Sequence, residues 1–205
     1  MSDISFMIDI ETTGVDTMSC NLLQIALLPI KFIDGFFQPY KVAIPSFKTR
    51  NFEMSPDGFV FTQMYSGSVS DFGMKYQTKL YDRCRDLPRS EARNVRKEII
   101  DYTKMVSAVA PFNIVGKNIG VFDLPILSRL GYLYRDDYHY RIEDMSGCFK
   151  LAQRVTGKTK EELEKLSLDL NPIKFDIPGT DHEALSDCYR QTAVYNGLIA
   201  FLRKE

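Results

Sequence analysis

Apolar residues form long runs in the first part of the chain and recur at helical spacing in the rest. Runs at residues 4–10, 22–33 and 36–44 predict three strands. The second and third runs are separated by Asp34-Gly35, a dipeptide that favours a tight β-hairpin. We therefore expect three antiparallel strands at the start of the fold.

The segment 46–76 lacks a regular apolar pattern. Pro56-Asp57-Gly58 and a Ser/Gly-rich stretch near Gly67 indicate loops and short turns. No strand or helix is predicted for this segment from its sequence.

Regular spacing returns after this segment and is mostly helical. The predicted elements are a helix at 88–110, a strand at 112–115, and helices at 124–130, 145–156, 160–166 and 181–203. Thr180 and Glu183 have the spacing of a capping box for the last helix. This order of elements predicts an α/β fold.

The composition supports one α/β domain over residues 1–205, because 44% of the residues are hydrophobic and provide a sizeable core. The net charge of −1 offers no global basic field for non-specific duplex binding. The four cysteines include no C-x-x-C pair, so neither a zinc cluster nor a disulfide framework is indicated. Without a signal peptide or a membrane-length apolar stretch, we expect a cytoplasmic protein with no membrane contact.

Two carboxylates stand near the end of the first predicted strand. Asp9 and Glu11 are two residues apart, so in a strand their side chains lie on the same face. A pair of carboxylates at the end of an apolar strand is a suitable ligand set for a hard cation. The alternative is a chance pair at a solvated strand end.

Further polar residues interrupt apolar segments later in the chain. Asp123 lies between Phe122 and Leu124, where it is either a functional carboxylate or a helix N-cap. Asp187 is predicted on the inner side of the last helix. His182 can face the same cleft as Asp187 only from the loop or first turn before that helix. The other histidine, His139, lies in a polar and aromatic run and is expected at the surface.

Basic residues are modestly concentrated between residues 75 and 104. A solvated helix face is the simplest explanation, and a stripe that follows nucleic-acid phosphates is the alternative. The residues are Lys75, Lys79, Arg83, Arg85, Arg89, Arg93, Arg96, Lys97 and Lys104.

Three segments resemble, in order and spacing, the motifs of the DEDDh branch of DnaQ-like 3′–5′ exonucleases. They are FMIDIETTG at 6–14, NIGVFDLPIL at 118–127 and HEALSD at 182–187. The resemblance implies a ribonuclease H-like fold, with a mixed five-stranded sheet flanked by helices. Its free-standing members include oligoribonuclease-like and bacteriophage exonuclease A-like proteins, and the compact layout is similar to the latter.

The resemblance also implies a set of site residues. Asp9, Glu11 and Asp187 would hold one Mg²⁺ or Mn²⁺ ion, and Asp9 with Asp123 a second. His182 would act as general base. The substrate-binding positions of the family fall on Thr12, Thr13, Gly14 and Asn118.

The implied reaction is the release of nucleoside 5′-monophosphates from the 3′ end of a single-stranded nucleic acid. DNA is favoured as the substrate, with RNA as the first alternative. A non-catalytic module that binds nucleic acid or a polymerase is the second alternative, and the intact acidic set disfavours it. A polymerase partner or a homodimer is left open.

Overall fold

A mixed β-sheet forms the centre of the protein and carries helices on both faces. The structure is a computed structural model that describes residues 4–67, 79–108, 110–178 and 183–203. The strands are β1 (Ile4–Thr12), β2 (Leu22–Ile33), β3 (Phe36–Pro39), β4 (Phe47–Lys48), β5 (Phe52–Ser55), β6 (Gly58–Thr62), β7 (Asn113–Gly116) and β8 (Glu143–Asp144). Within the described ranges their order in the sheet is β4-β5-β6-β2-β1-β7-β8, and β3 pairs with β2.

The two longest strands, β1 and β2, are antiparallel neighbours, and every residue of β1 has a partner on β2. The other edge of β2 is shared, since its first half pairs with β6 and its second half with β3. On the far side of β1, β7 and then β8 run parallel to their neighbours. The predicted mixed sheet is therefore confirmed, and the short strands β3, β4 and β5 enlarge it beyond its five-strand path β6-β2-β1-β7-β8.

The helices cover the two faces of the sheet unequally. The helices are α1, which includes residues 79–85, α2 (Ala92–Ser107), α3 (Asp123–Arg129), α4 (Met145–Thr156), α5 (Lys160–Leu170) and α6 (Ala184–Leu202). Alternate residues of β1 point to opposite faces, so Phe6, Ile8 and Ile10 pack under α2 and α3, while Met7 packs under α6. Among the described residues, no helix has the length and apolarity that a membrane crossing requires.

The long helix α6 is fixed to the sheet and to α5 by two close contacts. The buried Asn196 side chain accepts a hydrogen bond from the backbone N–H of Phe37 at 2.7 Å and donates one to its carbonyl at 2.6 Å. At Gly197, an added Cβ would lie 1.7 Å from the backbone oxygen of Ser167. The backbones of α5 and α6 therefore approach so closely that only glycine fits.

The prediction for residues 36–62 was wrong in two respects. The third strand ends at Pro39 rather than continuing to residue 44, and proline has no backbone N–H to donate to a ladder. The segment expected to form loops contains β4, β5 and β6. Because these strands are only two to five residues long, they leave little periodicity in the sequence.

The predicted helices occur, with shifted ends. Helix α2 begins at Ala92, later than residue 88, and α5 extends to Leu170. Helix α6 is described from Ala184, with Glu183 as its N-cap residue. Thr180 itself lies outside the described residues.

The contact at Gly197 gives a stability prediction. Gly197→Ala should lower the free energy of unfolding by about 3 kcal/mol, the upper part of the usual range for overpacking, because the methyl group meets backbone rather than a movable side chain. Thermal and urea unfolding measure the change. Gly147→Ala in α4 is the matched control, since nothing lies within 4 Å of the added Cβ. That change should be neutral or stabilise by up to about 1 kcal/mol, and equal losses in both variants would contradict the close contact.

Candidate active site

The central strand β1 places two carboxylates side by side at its C-terminal end. Asp9 and Glu11 follow Met7 on the face covered by α6, and Met7 is the last β1 residue paired with β7. Glu11 is buried, and Asp9 is partly buried. The predicted same-face arrangement of the pair is thus confirmed.

Helix α6 brings a third carboxylate to this pair. Carboxylate oxygens of Asp9, Glu11 and Asp187 lie within 4.8 Å of one another. The start of α6 is fixed by Gln24, whose side-chain oxygen accepts a hydrogen bond from the Ala184 N–H at 2.8 Å. Gln24 lies on β2 as the cross-strand partner of Glu11, so the start of the helix that carries Asp187 is connected to β1 through β2.

Asp123 supplies a fourth carboxylate from the first turn of α3. It is the first residue of that helix and is buried, and the N-cap position belongs to Phe122. The alternative of Asp123 as a simple N-cap therefore does not apply. Burial raises the pKa of Asp123 to about 7, although hydrogen bonds from its own backbone N–H and that of Ile10 oppose the shift.

The pKa of Asp9 lies well above that of an ordinary aspartate. Burial is the largest cause, followed by repulsion from Asp123, Glu11 and Asp187. A hydrogen bond from Gln191 Nε2 to Asp9 Oδ1, 2.6 Å long, opposes the shift. Asp9 is thus the carboxylate on which the repulsion of the others is focused.

This donor set fits a hard divalent cation. Carboxylate oxygens are the preferred ligands of Mg²⁺ and Mn²⁺, and three of them are close enough here to share one ion. Arg190 Nε lies 3.9 Å from Asp187 Oδ1, at the edge of ion-pair distance. A bound cation would supply the positive charge that favours the ionised form of Asp9.

Of the two histidines, only His139 lies among the described residues. His182, the predicted general base, lies outside the described residues. His139 is partly buried, donates its backbone N–H to the Phe112 carbonyl at 2.8 Å, and its ring lies against that of Tyr140 at a tilt. Phe112 precedes β7 at the end of the sheet opposite to Asp9, so His139 is remote from the carboxylates.

The turn after β1 is held by its own threonines. Thr12 Oγ1 donates to the Gly14 carbonyl at 2.6 Å, and Thr13 Oγ1 accepts from the Asn21 N–H at 2.9 Å. Both threonine side chains are buried. Both hydroxyl groups are therefore engaged in hydrogen bonds within the protein.

Asn118 lies in the exposed loop between β7 and α3. Its backbone has a positive φ of 57° and donates its N–H to Asp144 Oδ1 at 3.1 Å and to Ser146 Oγ at 2.7 Å. Gly120 donates to the other oxygen of Asp144 at 3.3 Å. The loop that leads to Asp123 is thereby fixed to the end of β8.

Sequence reasoning missed Gln24, Asp144 and Gln191. Gln191 could have been found, because it lies four residues after Asp187 on the same helix face. Gln24 and Asp144 act on residues that are distant in the chain, and no local pattern marks them.

The fold and the carboxylate cluster define an α/β protein with a ribonuclease H-like fold and an acidic site at the end of its central strand. No protein-family model and no curated protein matches the sequence. The fold is similar to that of Escherichia coli exonuclease I in a zinc-bound complex with single-stranded DNA, with a TM-score of 0.61 and 14% identity. It is also similar to exonuclease I from Methylocaldum szegediense, with a TM-score of 0.57 and 12% identity.

The alignments cover 100% and 98% of this chain but only 42% and 43% of the two exonuclease I chains. This chain therefore spans less than half the length of those proteins. The ribonuclease H-like fold expected from the sequence is confirmed. The particular subfamily stays a prediction, since both neighbours are exonuclease I rather than the exonuclease A-like or oligoribonuclease-like proteins.

The raised pKa values give a prediction for the metal-free protein. The pKa values of Asp9 and Asp123 exceed the unfolded value of about 4, so the fold favours the protonated carboxyls. Stability from this source is present below about pH 4 and lost as the pH rises through about 7. In EDTA, the melting temperature should therefore fall between about pH 5 and pH 8, and fall less in Asp123→Asn, whose amide does not ionise.

The matched control is Asp101→Asn, which changes an exposed acid on α2 and should keep the wild-type pH dependence. The same loss of stability with pH in Asp123→Asn and in the wild type would contradict the buried, uncompensated carboxylate.

Proposed function

We propose that the protein is a divalent-metal-dependent 3′–5′ exonuclease of the DEDDh type, with its nuclease domain spanning residues 1–205. The observation that supports this most directly is the convergence of Asp9, Glu11 and Asp187 at the end of the central strand. The three come from two distant motifs of the sequence, and the third motif supplies Asp123 beside them. The similarity of the fold to two exonuclease I structures supports the same function.

In this proposal the four carboxylates hold two Mg²⁺ or Mn²⁺ ions. Asp9, Glu11 and Asp187 form one ligand set, and Asp9 with Asp123 forms the other. When bound, such ions stabilise the charge that develops on the phosphate and its leaving oxygen. The protein's own contribution is to hold the carboxylates in place, through the β1–β2 ladder and the hydrogen bonds of Gln24 and Gln191.

His182 is the proposed general base that accepts a proton from the attacking water. An ordinary histidine pKa near 6.5 suits that role at neutral pH. The backbone of Thr12, Thr13 and Gly14, together with Asn118, is proposed to contact the terminal nucleotide. The products are nucleoside 5′-monophosphates.

Single-stranded DNA is the proposed substrate. One support is that the similar E. coli exonuclease I structure is a complex with single-stranded DNA. RNA carries the same phosphodiester chemistry and differs by its 2′-hydroxyl, so matched DNA and RNA oligomers are both needed in the assay.

Asp9→Ala should abolish the magnesium-dependent release of mononucleotides. We expect at least about a 10³-fold loss of kcat/KM, because Asp9 belongs to both proposed ligand sets. Its metal-free melting temperature should rise, since removal of one charge relieves the repulsion in the cluster. Labelled oligomers resolved by length measure the reaction, and Mg²⁺ titration of the melting temperature measures binding.

Asp101→Ala, which removes an exposed acid from α2, is the control for that experiment and should keep wild-type turnover. Turnover by Asp9→Ala within about threefold of the wild type would refute the assignment of the site. Failure of the wild type to cleave either DNA or RNA with Mg²⁺ or Mn²⁺ would refute the proposed function.

His182→Ala should lower kcat by about 10²–10⁴-fold, the usual contribution of a general base, and leave the divalent-ion affinity unchanged. The acidic limb of the pH–rate profile should also disappear. His139→Ala is the internal control, because His139 lies at the opposite end of the sheet and should have no part in the reaction. If His182→Ala instead loses metal binding, or changes kcat less than threefold, His182 is not the base.

A further inference from the structure

A pocket with a volume of about 380 Å³ opens beside the carboxylate cluster, over β4, β5 and β6. We call it the β4–β6 groove. Its floor includes Gln24 and Thr62, and its wall includes Leu185, two residues before Asp187. Gln24 is the cross-strand partner of Glu11, so the groove reaches the edge of the site. It is built by the strands of the segment that has no counterpart in the motifs.

Strand register connects the floor of the groove to the carboxylates. Asp9 lies opposite Ala26, Ala26 opposite Val60, Val60 opposite Glu53, and Glu53 opposite Lys48. Cross-strand partners share a face, so these residues form a row across the face that α6 covers, and Ala26 is fully buried beneath that helix. The row therefore measures the separation of Lys48 from Asp9, and the groove approaches the carboxylates at Gln24, the cross-strand partner of Glu11. With neighbouring strands about 4.8 Å apart, Lys48 lies four strands, or roughly 19 Å, from Asp9.

The rim of the groove carries three cations, namely Lys48, Arg50 and Arg83. Two acids also line the groove, so its charged side chains have an excess of positive charge, in contrast to the net charge of −1 for the chain. Single-stranded nucleic acid presents a row of phosphates that such cations can contact.

The interactions that these cations make within the protein are exposed to solvent and therefore weak. Lys48 Nζ is 2.5 Å from Glu53, with 73% and 52% of the two side chains exposed. Arg83 is 3.3 Å from Glu183, with 51% and 36% exposed, and Arg50 donates to a backbone carbonyl. Exposed ion pairs of this kind contribute about 0–1 kcal/mol, so a phosphate group can compete for the cations.

We propose that the β4–β6 groove binds phosphates of the substrate strand on the 5′ side of the scissile bond. This inference rests on the proposed function, because it assigns the path of the strand whose 3′ end reaches the carboxylates. At a rise of about 3.4 Å per nucleotide, the separation of roughly 19 Å between Asp9 and Lys48 corresponds to at least about five stacked nucleotides. The groove therefore favours oligomers longer than about five nucleotides, and a dinucleotide does not reach Lys48.

The test measures binding of a 10-nucleotide DNA and a matched RNA by fluorescence anisotropy in Ca²⁺, and cleavage of the same oligomers and a dinucleotide in Mg²⁺. Lys48→Ala, Arg50→Ala and Arg83→Ala should each raise the Kd of the 10-mer about 3- to 10-fold. Each should also lower the slope of log Kd against log salt by about 0.7. Cleavage of the dinucleotide by Lys48→Ala should be unchanged.

Two further variants distinguish phosphate binding from a structural role. Glu53→Gln should tighten binding of the 10-mer, since it removes the acid that competes for Lys48. Lys97→Ala removes a similarly exposed, ion-paired lysine on α2, which packs on the other face of the sheet, and should leave Kd unchanged.

Wild-type Kd values in all three groove variants, or losses of affinity no larger than that of Lys97→Ala, would overturn the proposal that the groove binds phosphates. Cleavage by the wild-type protein would still support the exonuclease in that case. Loss confined to RNA or to DNA would overturn recognition through phosphates. Binding that depends on the groove in a protein that cleaves nothing would support the groove and refute the nuclease.

Discussion

Repulsion among carboxylates at the end of β1 is the interaction on which the site depends. Three of them are within 4.8 Å of one another, and Asp123 adds its charge from α3. An unconstrained chain would separate such charges, so the β1–β2 ladder and the anchored start of α6 must hold them together. A divalent cation bound at this cluster would offset the repulsion, and its binding would then be coupled to folding.

The strand register of the sheet also fixes where β6, β5 and β4 lie relative to the carboxylates. Because β2 shares its outer edge between β3 and β6, the half of β2 beside Asp9 and Glu11 is free to pair with β6. Strands β5 and β4 then continue the same face to Lys48. One row of cross-strand partners thus fixes the position of Lys48 relative to the carboxylate cluster.

The parts of the fold and site that could be predicted have strong local signals. Strand β1 is predominantly apolar from Ile4 to Ile10, and Asp34 and Gly35 both have the positive φ that a tight hairpin requires. The same-face position of Asp9 and Glu11 follows from strand geometry alone. The short strands β4–β6 could not be predicted, because they are stabilised by pairing with β2 rather than by their own pattern. The bond from Gln191 to Asp9 depends on where α6 packs, which spacing along the helix does not determine.

The most direct measurement is anomalous X-ray scattering from crystals grown with Mn²⁺ and a nucleoside 5′-monophosphate. The account predicts one manganese peak at about 2.1 Å from carboxylate oxygens of Asp9, Glu11 and Asp187, and a second between Asp9 and Asp123. The phosphate of the nucleotide should lie against both peaks. Bound Mn²⁺ elsewhere on the molecule, with no peak at these four carboxylates, would contradict the account.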